Sequence, residues 1–329
     1  MKRLGARRYR LATATRRASV VALAFALALT SLAGCAGAGG GTAAGETRPG
    51  AANDEGTTSG PTFERPPLAA SELDADAATA DHDSLIDVSH AAQGYVAASA
   101  QNENRMKLLV SKDGQQYNYD LPGDGTPLAA PLNMGDGAYE VSVMQNTSGN
   151  SYVAVNSVTV DVAMDSEFEP FLRPNVFCDY DEDSACVAKA DELAAGAQNQ
   201  GDVLRAIYDW ITANISYDTA KAQQLADATG YVPDPDATLF AGTGVCFDYV
   251  SLGAAMLRSQ GIPTKIITGY VSPDEVYHAW NLVYLDGSWK SVQVDVEANT
   301  WTRIDLTFAA GGATQYVGDA KEYTDRFTY

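Results

Sequence analysis

Histidine is scarce in this 329-residue chain, and basic side chains are outnumbered by acidic ones. The three histidines, His82, His90 and His278, are far apart, and no Cys/His cluster has the spacing that holds zinc. Asp179, Asp181 and Asp183 imitate the opening of a calcium loop, but Ser184 replaces its turn glycine and Ala190 its closing glutamate, so the stretch reads as a solvated loop. No metal and no other cofactor is expected. Lys and Arg number 22 against 42 Asp and Glu, a net charge of −20, and such a surface repels nucleic acid and anionic lipid. The apolar stretch Val20 to Leu29 is too short for a comfortable membrane span, and no internal repeat is apparent.

That short stretch reads instead as the core of an export signal. Lys2, Arg3, Arg7, Arg8, Arg10, Arg16 and Arg17 precede it, and Leu32-Ala-Gly-Cys35 follows with the form of a bacterial lipobox. The expectation is a lipoprotein signal over 1–34 and a lipid on Cys35 that anchors the mature chain to the outer face of a bacterial membrane; an ordinary secretory signal is the alternative. Cleavage there removes seven basic residues and no acidic ones, taking the charge from −20 to −27. A solubilising surface is a sufficient reading of that excess. Residues 35–83 are rich in Gly, Ala, Thr, Ser, Pro and acidic residues and read as a disordered tether.

Beyond the tether the chain divides in two. Over 84–164, short alternating runs such as Met106-Lys-Leu-Leu-Val and Tyr139-Glu-Val-Ser-Val are punctuated by Lys112-Asp-Gly, Gly123-Asp-Gly and Gly135-Asp-Gly, the pattern of a small β-sandwich. No residue in it forms a chemical constellation, so it reads as spacer or scaffold. Over 165–329 the pattern is α+β. Ser184 to Ala195 and Asp202 to Ile215 read as helices, as does Tyr249 to Arg258, which stops at Gly261-Ile-Pro263. Thr264 to Val271 is a strand; His278 to Leu285, the Asp286-Gly287 turn and Trp289 to Val296 form a hairpin.

The chemistry concentrates on Cys246, His278 and an acid. Cys246 sits where Gly242-Thr-Gly-Val gives way to a helix, so its thiol falls at a helix N-terminus, where unpaired N–H groups and the dipole favour a thiolate. His278 opens a strand, and Asp305 lies in the strand-like Trp301-Thr-Arg-Ile-Asp-Leu-Thr-Phe. A Cys polarised by a His that a carboxylate orients is the logic of nucleophilic acyl transfer. Of the other cysteines, Cys178 and Cys186 either close a small disulfide loop in an oxidising compartment or remain two free thiols, the disulfide being preferred.

Gly-x-Cys-x-Asp-Tyr, Leu-Arg-Ser-Gln-Gly-Ile-Pro-Thr-Lys, His-Ala-Trp-Asn and Trp-x-x-x-Asp-x-Thr, in that order, resemble the core of the transglutaminase-like superfamily. The resemblance implies a papain/transglutaminase-like core with a Cys helix packed on an antiparallel sheet, and a Cys246, His278, Asp305 triad. Asp295 is the rival acid, since a shorter pattern puts the carboxylate soon after Trp289; Asp305 is preferred for Trp301 before it and Thr307 after it. Asn214-Ile-Ser-Tyr-Asp218 is also similar to the family, and Tyr217 either lines the cleft or is structural. Trp280 and Trp301 read as packing. The implied function is a thiol acyl-transfer enzyme acting on amide bonds of cell-envelope proteins or wall peptides, with hydrolysis preferred, protein-glutamine cross-linking second, and a non-catalytic envelope-binding protein third.

Overall fold

The computed structural model describes residues 8–10, 62–226, 228–271, 276–295, 300–305 and 323–329. Arg8–Arg10 (β1) pairs with the edge of the first unit. That unit has β2 (Thr79–Asp81), β3 (Ser84–Asp87), β4 (Tyr95–Ala100), β5 (Met106–Lys112), β6 (Gln115–Leu121), β7 (Leu128–Pro131), β8 (Gly137–Ser148) and β9 (Ser151–Val162). They form two antiparallel sheets, ordered β1-β9-β8-β5-β6 and β2-β3-β4-β7. Alternation decides what each strand buries: Tyr117, Tyr119 and Leu121 of β6 point inward while Gln116, Asn118 and Asp120 are exposed. Their partners in the core include Ile86, Val96, Leu108, Val110 and Val141. The β5–β6 hairpin turns on Asp113 and Gly114, both in the left-handed region that a two-residue turn of this hand requires.

The expected tether does not extend through residues 62–83. There the chain is fastened along the body by polar bonds, which offset the low apolar content that made it read as disordered. The Phe63 N–H donates to the Gln198 carbonyl at 3.0 Å, the Ser71 hydroxyl to the Pro174 carbonyl at 2.8 Å, and Arg173 to the Ala70 carbonyl at 2.9 Å. Arg65 reaches both the Ser259 carbonyl and Asp191, and β2 adds to the edge of β3.

The second unit contains α1 (Ala185–Ala194), α2 (Gln200–Asn214), β10 (Ser216–Tyr217), α3 (Thr219–Leu225), α4 (Pro235–Ala241), β11 (Thr243–Gly244) and α5 (Cys246–Ser259). Strands β12 (Thr264–Val271), β13 (Val276–Leu285), β14 (Ser288–Asp295), β15 (Thr300–Asp305) and β16 (Tyr323–Thr328) follow. These last five form an antiparallel sheet in the order β15-β14-β13-β12-β16. Helix α5 packs on β12 and β13 and is surrounded by α1, α2 and α4. Every residue from Asp248 to Ser259 is buried, so α5 is a core helix rather than an amphipathic surface one. It is an α+β core of the papain/transglutaminase type, a Cys helix laid on an antiparallel sheet and preceded by a β-sandwich.

Burying α5 on all sides demands polar ties inside the core. Arg258 is buried and gives its guanidinium to the carbonyls of Thr264, Arg173 and Tyr329 at 2.8, 2.9 and 3.1 Å. Asn281 on β13 accepts from Tyr208 of α2 and donates to the Val250 and Lys265 carbonyls at 3.2 and 3.1 Å. Gly253 makes room for this link, because a Cβ there would lie 2.7 Å from the Tyr208 hydroxyl oxygen. Between the two units runs an aromatic seam, in which Tyr329 packs on Phe177, Tyr117 and Tyr119 with ring centroids 4.5, 5.7 and 6.3 Å away.

Gly253→Ala gains helix propensity but overpacks the Tyr208–Asn281 link, a strain of about 1–3 kcal/mol. A net loss of stability is therefore expected in urea denaturation, and adding Tyr208→Phe should recover part of it. A Gly253→Ala protein more stable than the parent would refute this account.

Candidate active site

Cys246 is the first residue of α5 and half-buried. What fixes it there is Asp248, two residues on and wholly buried. One carboxylate oxygen of Asp248 accepts the Val245 N–H at 2.8 Å and the Lys221 ammonium at 2.6 Å; the other accepts the Tyr231 hydroxyl. This is the N3 half of a capping box, satisfying an N–H that helix geometry leaves open. Gly244 is part of the same device, for a Cβ there would stand 2.7 Å from the Asp248 Cβ. Lys221 is delivered by α3, whose own start is capped by Asp218. Its ammonium also lies 4.9 Å from the centre of the Tyr231 ring.

On the sheet side, the Cys246 thiol faces the backbone N–H of Ala279, the residue after His278; the N–H groups of Phe247 and Cys246 also face it. Burial pushes the thiol above its ordinary value, those N–H groups pull it down, and the Asp248 charge pushes it up, with a raised thiol as the net result. The thiolate expected from the helix start alone is therefore outweighed, and the thiol rests protonated. His278 is half-buried at the start of β13 and pairs with Gly269 of β12. On β13 it falls in phase with Trp280 and Leu282, which pack with Ile267 and Trp289, whereas Ala279 and Val283 join the core around α5. Tyr217 is half-buried beside this site. It pairs with Gly244, and burial together with the Cys246 charge raises its hydroxyl.

Register places the two candidate acids differently. Asp305 lies opposite Lys290 of β14, and Lys290 opposite Val283 of β13. Val283 is five residues from His278, about 16 Å along a strand, and Asp305 is a further two strands across. The pairing Asn281 with Val292 sets the β13–β14 register, and three residues onward along each strand come His278 and Asp295. β15 carries Asp305 away from the start of β13, and Thr307 lies outside the described residues. Trp301 pairs with Val294.

Two other expectations have separate outcomes. Cys178 and Cys186 are free, buried thiols rather than a disulfide. Cys186 is committed elsewhere: its N–H and that of Ala185 donate to Asp236 at 2.8 Å, and its thiol bonds the same carboxylate. Burial raises Cys186 and pushes Cys178 up to about 12. Cys35 lies outside the described residues. The Asp248–Lys221–Tyr231 clamp had no place in the sequence reading. Its signal was the Asp in Gly-x-Cys-x-Asp-Tyr, an acid at N3 of a helix, but its partners come from 17 and 27 residues away.

Lys221→Met should therefore uncouple the clamp. A carboxylate left buried without its cation is costly, and because Lys221 is partly exposed the loss should be about 2–3 kcal/mol, short of a fully buried pair. Burial lowers the Lys221 ammonium, but bonds from Asp248 and Tyr231 outweigh it and leave a net rise. Hence the clamp's contribution is complete below the ordinary lysine value of 10.5 and lost as pH climbs through the raised one. Urea denaturation at pH 7 and above pH 10.5 should show the variant's deficit shrinking in alkali; a constant deficit would count against this ion pair.

Comparison with known proteins bears on the same segment. Residues 187–296 match the family model of the transglutaminase-like superfamily. Kyphoscoliosis peptidase of Homo sapiens is 32% identical over 120 residues, 33% of this chain and 17% of that protein, and the Mus musculus protein is 31% identical over the same shares. The chain thus matches about a sixth of the length of these curated relatives. Among solved structures, a candidate cysteine protease from Cytophaga hutchinsonii has a TM-score of 0.34 at 18% identity, covering 75% of this chain and 83% of that one. The periplasmic domain of TgpA from Pseudomonas aeruginosa has 0.27 at 14%, covering 77% of each. The matched segment holds Cys246, His278 and Asp295 and stops short of Asp305. Residues 187–296, from α1 to the end of β14, are thus the part of the chain that is similar to the transglutaminase-like superfamily.

Proposed function

We propose that this protein is a cysteine peptidase or amidase, with Cys246 as nucleophile, His278 as general base and Asp295 as the orienting acid. One observation carries the reading: the half-buried thiol at the start of α5 faces the N–H of the residue next to His278. Two others support it. Residues directly across an antiparallel pair are close neighbours on one face, and continuing the β13–β14 pairing three residues beyond its end at Asn281 and Val292 would set His278 against Asp295. The matched relative is named a peptidase.

Because burial and Asp248 hold the thiol protonated, it needs a base when substrate arrives. His278 takes the Sγ proton as sulfur attacks the amide carbonyl carbon, and the backbone N–H groups at the start of α5 are placed to receive the developing oxyanion. Collapse breaks the C–N bond, His278 returns the proton to the leaving amine, and a thioester remains on Cys246. Water, deprotonated by the same imidazole, then releases the acid and restores the thiol. Asp295 would hold the imidazole in the tautomer that accepts at the thiol side. The amide would belong to a protein or peptide of the cell envelope, which the anchor expected at Cys35 would bring within reach.

The test compares four variants on a casein or wall-peptide digest read by new amino termini. Cys246→Ala and His278→Ala should abolish cleavage, Asp295→Ala should lower kcat/KM by about 10²–10⁴, and Asp305→Ala should change it less than about threefold. A larger loss from Asp305→Ala overturns the choice of acid. Incorporation of a labelled primary amine into glutamine, without new termini, makes the enzyme a transglutaminase instead.

A further inference from the structure

Among the described residues, the large apolar side chains left exposed are Val232, Phe240, Tyr270 and Tyr277. The last two stand directly opposite each other on β12 and β13, beside the candidate active site. Their exposure has a geometric cause. The Asn281 amide of β13 reaches the Val250 carbonyl of α5, and two residues earlier the Ala279 N–H faces the thiol at the helix start. Tyr277 is two residues further back and in phase with Ala279, so it lies past the end of the helix, about 7 Å along the strand. There the sheet projects as an uncovered ledge on the face that carries α5. The Tyr270 and Tyr277 rings meet edge to face on it, with centroids 5.4 Å apart.

A cation is aimed at this ledge. Thr268 pairs with Phe327 and Gly269 with Asp325, so Arg326 is an extra residue on β16, a β-bulge. A bulge interrupts the alternation of faces and re-aims a side chain. Here it brings the Arg326 guanidinium to the Tyr270 hydroxyl, to which it donates at 3.1 Å. The same group lies 6.0 and 5.1 Å from the ring centres of Tyr270 and Phe327, and Phe327 is braced by Tyr117 of the β-sandwich at 5.7 Å. The chain carries 42 acidic side chains against 22 basic ones, yet among the described residues none of them pairs with exposed Arg326. Burial raises the neighbouring Asp325 carboxyl, and it is Lys265 that pulls it down. Most of the planar fork of N–H donors is therefore open to solvent, while the rings hold it in place before any ligand arrives. Such preorganisation lowers the ordering cost of binding.

We propose that Arg326, Tyr270 and Tyr277 form a subsite for a carboxylate of the peptide substrate. The open edge of the guanidinium donates to the two carboxylate oxygens side by side, and the Tyr277 ring, 50% exposed, supports the chain between that group and the thiol. Strand β16 is two strands over from β13, which sets Arg326 about 10 Å from Ala279, the reach of about three extended residues. The preferred substrate thus carries a carboxylate about three residues from the amide attacked, as an acidic side chain or a free chain end. That spacing rests on Cys246 being the nucleophile of the proposed function; the carboxylate subsite does not.

Binding is read by fluorescence anisotropy in the Cys246→Ala protein, which removes turnover from the measurement. The labelled probes are Ala-Ala-Ala-Ala-Glu with an amidated end, its Gln counterpart, and Ala-Ala-Ala-Ala-Ala with a free or an amidated end. Saturable binding is expected for the glutamate probe, the free-ended probe or both, and the pair tells which carboxylate is used. Each neutral counterpart should bind about tenfold more weakly, or about 1.4 kcal/mol. Arg326→Gln should abolish that preference, and Arg326→Lys should restore it only in part, because an ammonium has the charge without the fork. Tyr277→Leu should weaken binding about threefold, and Tm should move little in all three, since both side chains are exposed. In the protein that retains Cys246, Arg326→Gln should lower kcat/KM for the carboxylate peptide about tenfold. A carboxylate preference in binding without any cleavage by the parent would refute the hydrolase and uphold the subsite. Equal cleavage of acidic and neutral peptides, a preference unchanged in Arg326→Gln, or no saturable binding of any probe would overturn the subsite.

Discussion

The Asp248 carboxylate, sealed from solvent at the third position of α5, has to be held by several donors at once, and that requirement organises the segments around the thiol. A lone ionised carboxylate in such a place would shift its pKa or unfold the helix start. Lys221 answers it from α3 and Tyr231 from the following loop, so two segments with little buried apolar surface of their own are fixed by polarity. Gly244 keeps the approach open, and β11 pairs with β10 to carry Tyr217 to the same place. The position of Cys246 thus follows from an interaction that never touches substrate.

Burial first, and the same clamp second, raise the thiol. The helix start and three facing N–H groups favour a thiolate, but burial and the Asp248 charge win, leaving a protonated thiol beside the strand that carries His278. In the proposed mechanism such a thiol would depend on an external base, tying proton transfer to substrate arrival. Cys178 and Cys186 show the contrast. Their burial is deeper, they line no reacting centre, and Cys186 spends its donor on the carboxylate that caps its own helix.

Much of the architecture was legible because it depends on local chemistry. Period-two alternation gave β6 and β13, the Asp-Gly pairs at 113–114 and 286–287 gave hairpins, and Gly261 ended α5. Helices of 10 and 15 residues were visible at 185–194 and 200–214, whereas α3 and α4, of seven residues each, were not. Their apolar periodicity is too brief to register; they stand on caps from Asp218 and Asp234 and on what they hold. Residues 62–83 escaped for a related reason, since bonds to distant carbonyls leave no trace in a segment's composition. The core aromatic seam was equally unreadable, because Tyr329 and Tyr117 meet only through the tertiary fold.

Choosing between Asp295 and Asp305 shows where sequence reasoning stops. Flanking residues argued for Asp305, and spacing after the hairpin turn argued for Asp295. In an antiparallel sheet neither flank nor spacing decides proximity; register does, and each step along a strand moves a side chain about 3.3 Å. The Asp286-Gly287 turn fixes the register of β13 against β14 as far as Asn281 and Val292, and continuing it would set His278 against Asp295. The next strand reverses direction, so the farther a residue lies along β15 from Thr300, the farther it is carried from the start of β13. Asp305 is at the far end. A turn of two residues, more than any motif around the acids, therefore decides how far each carboxylate's backbone lies from the start of β13.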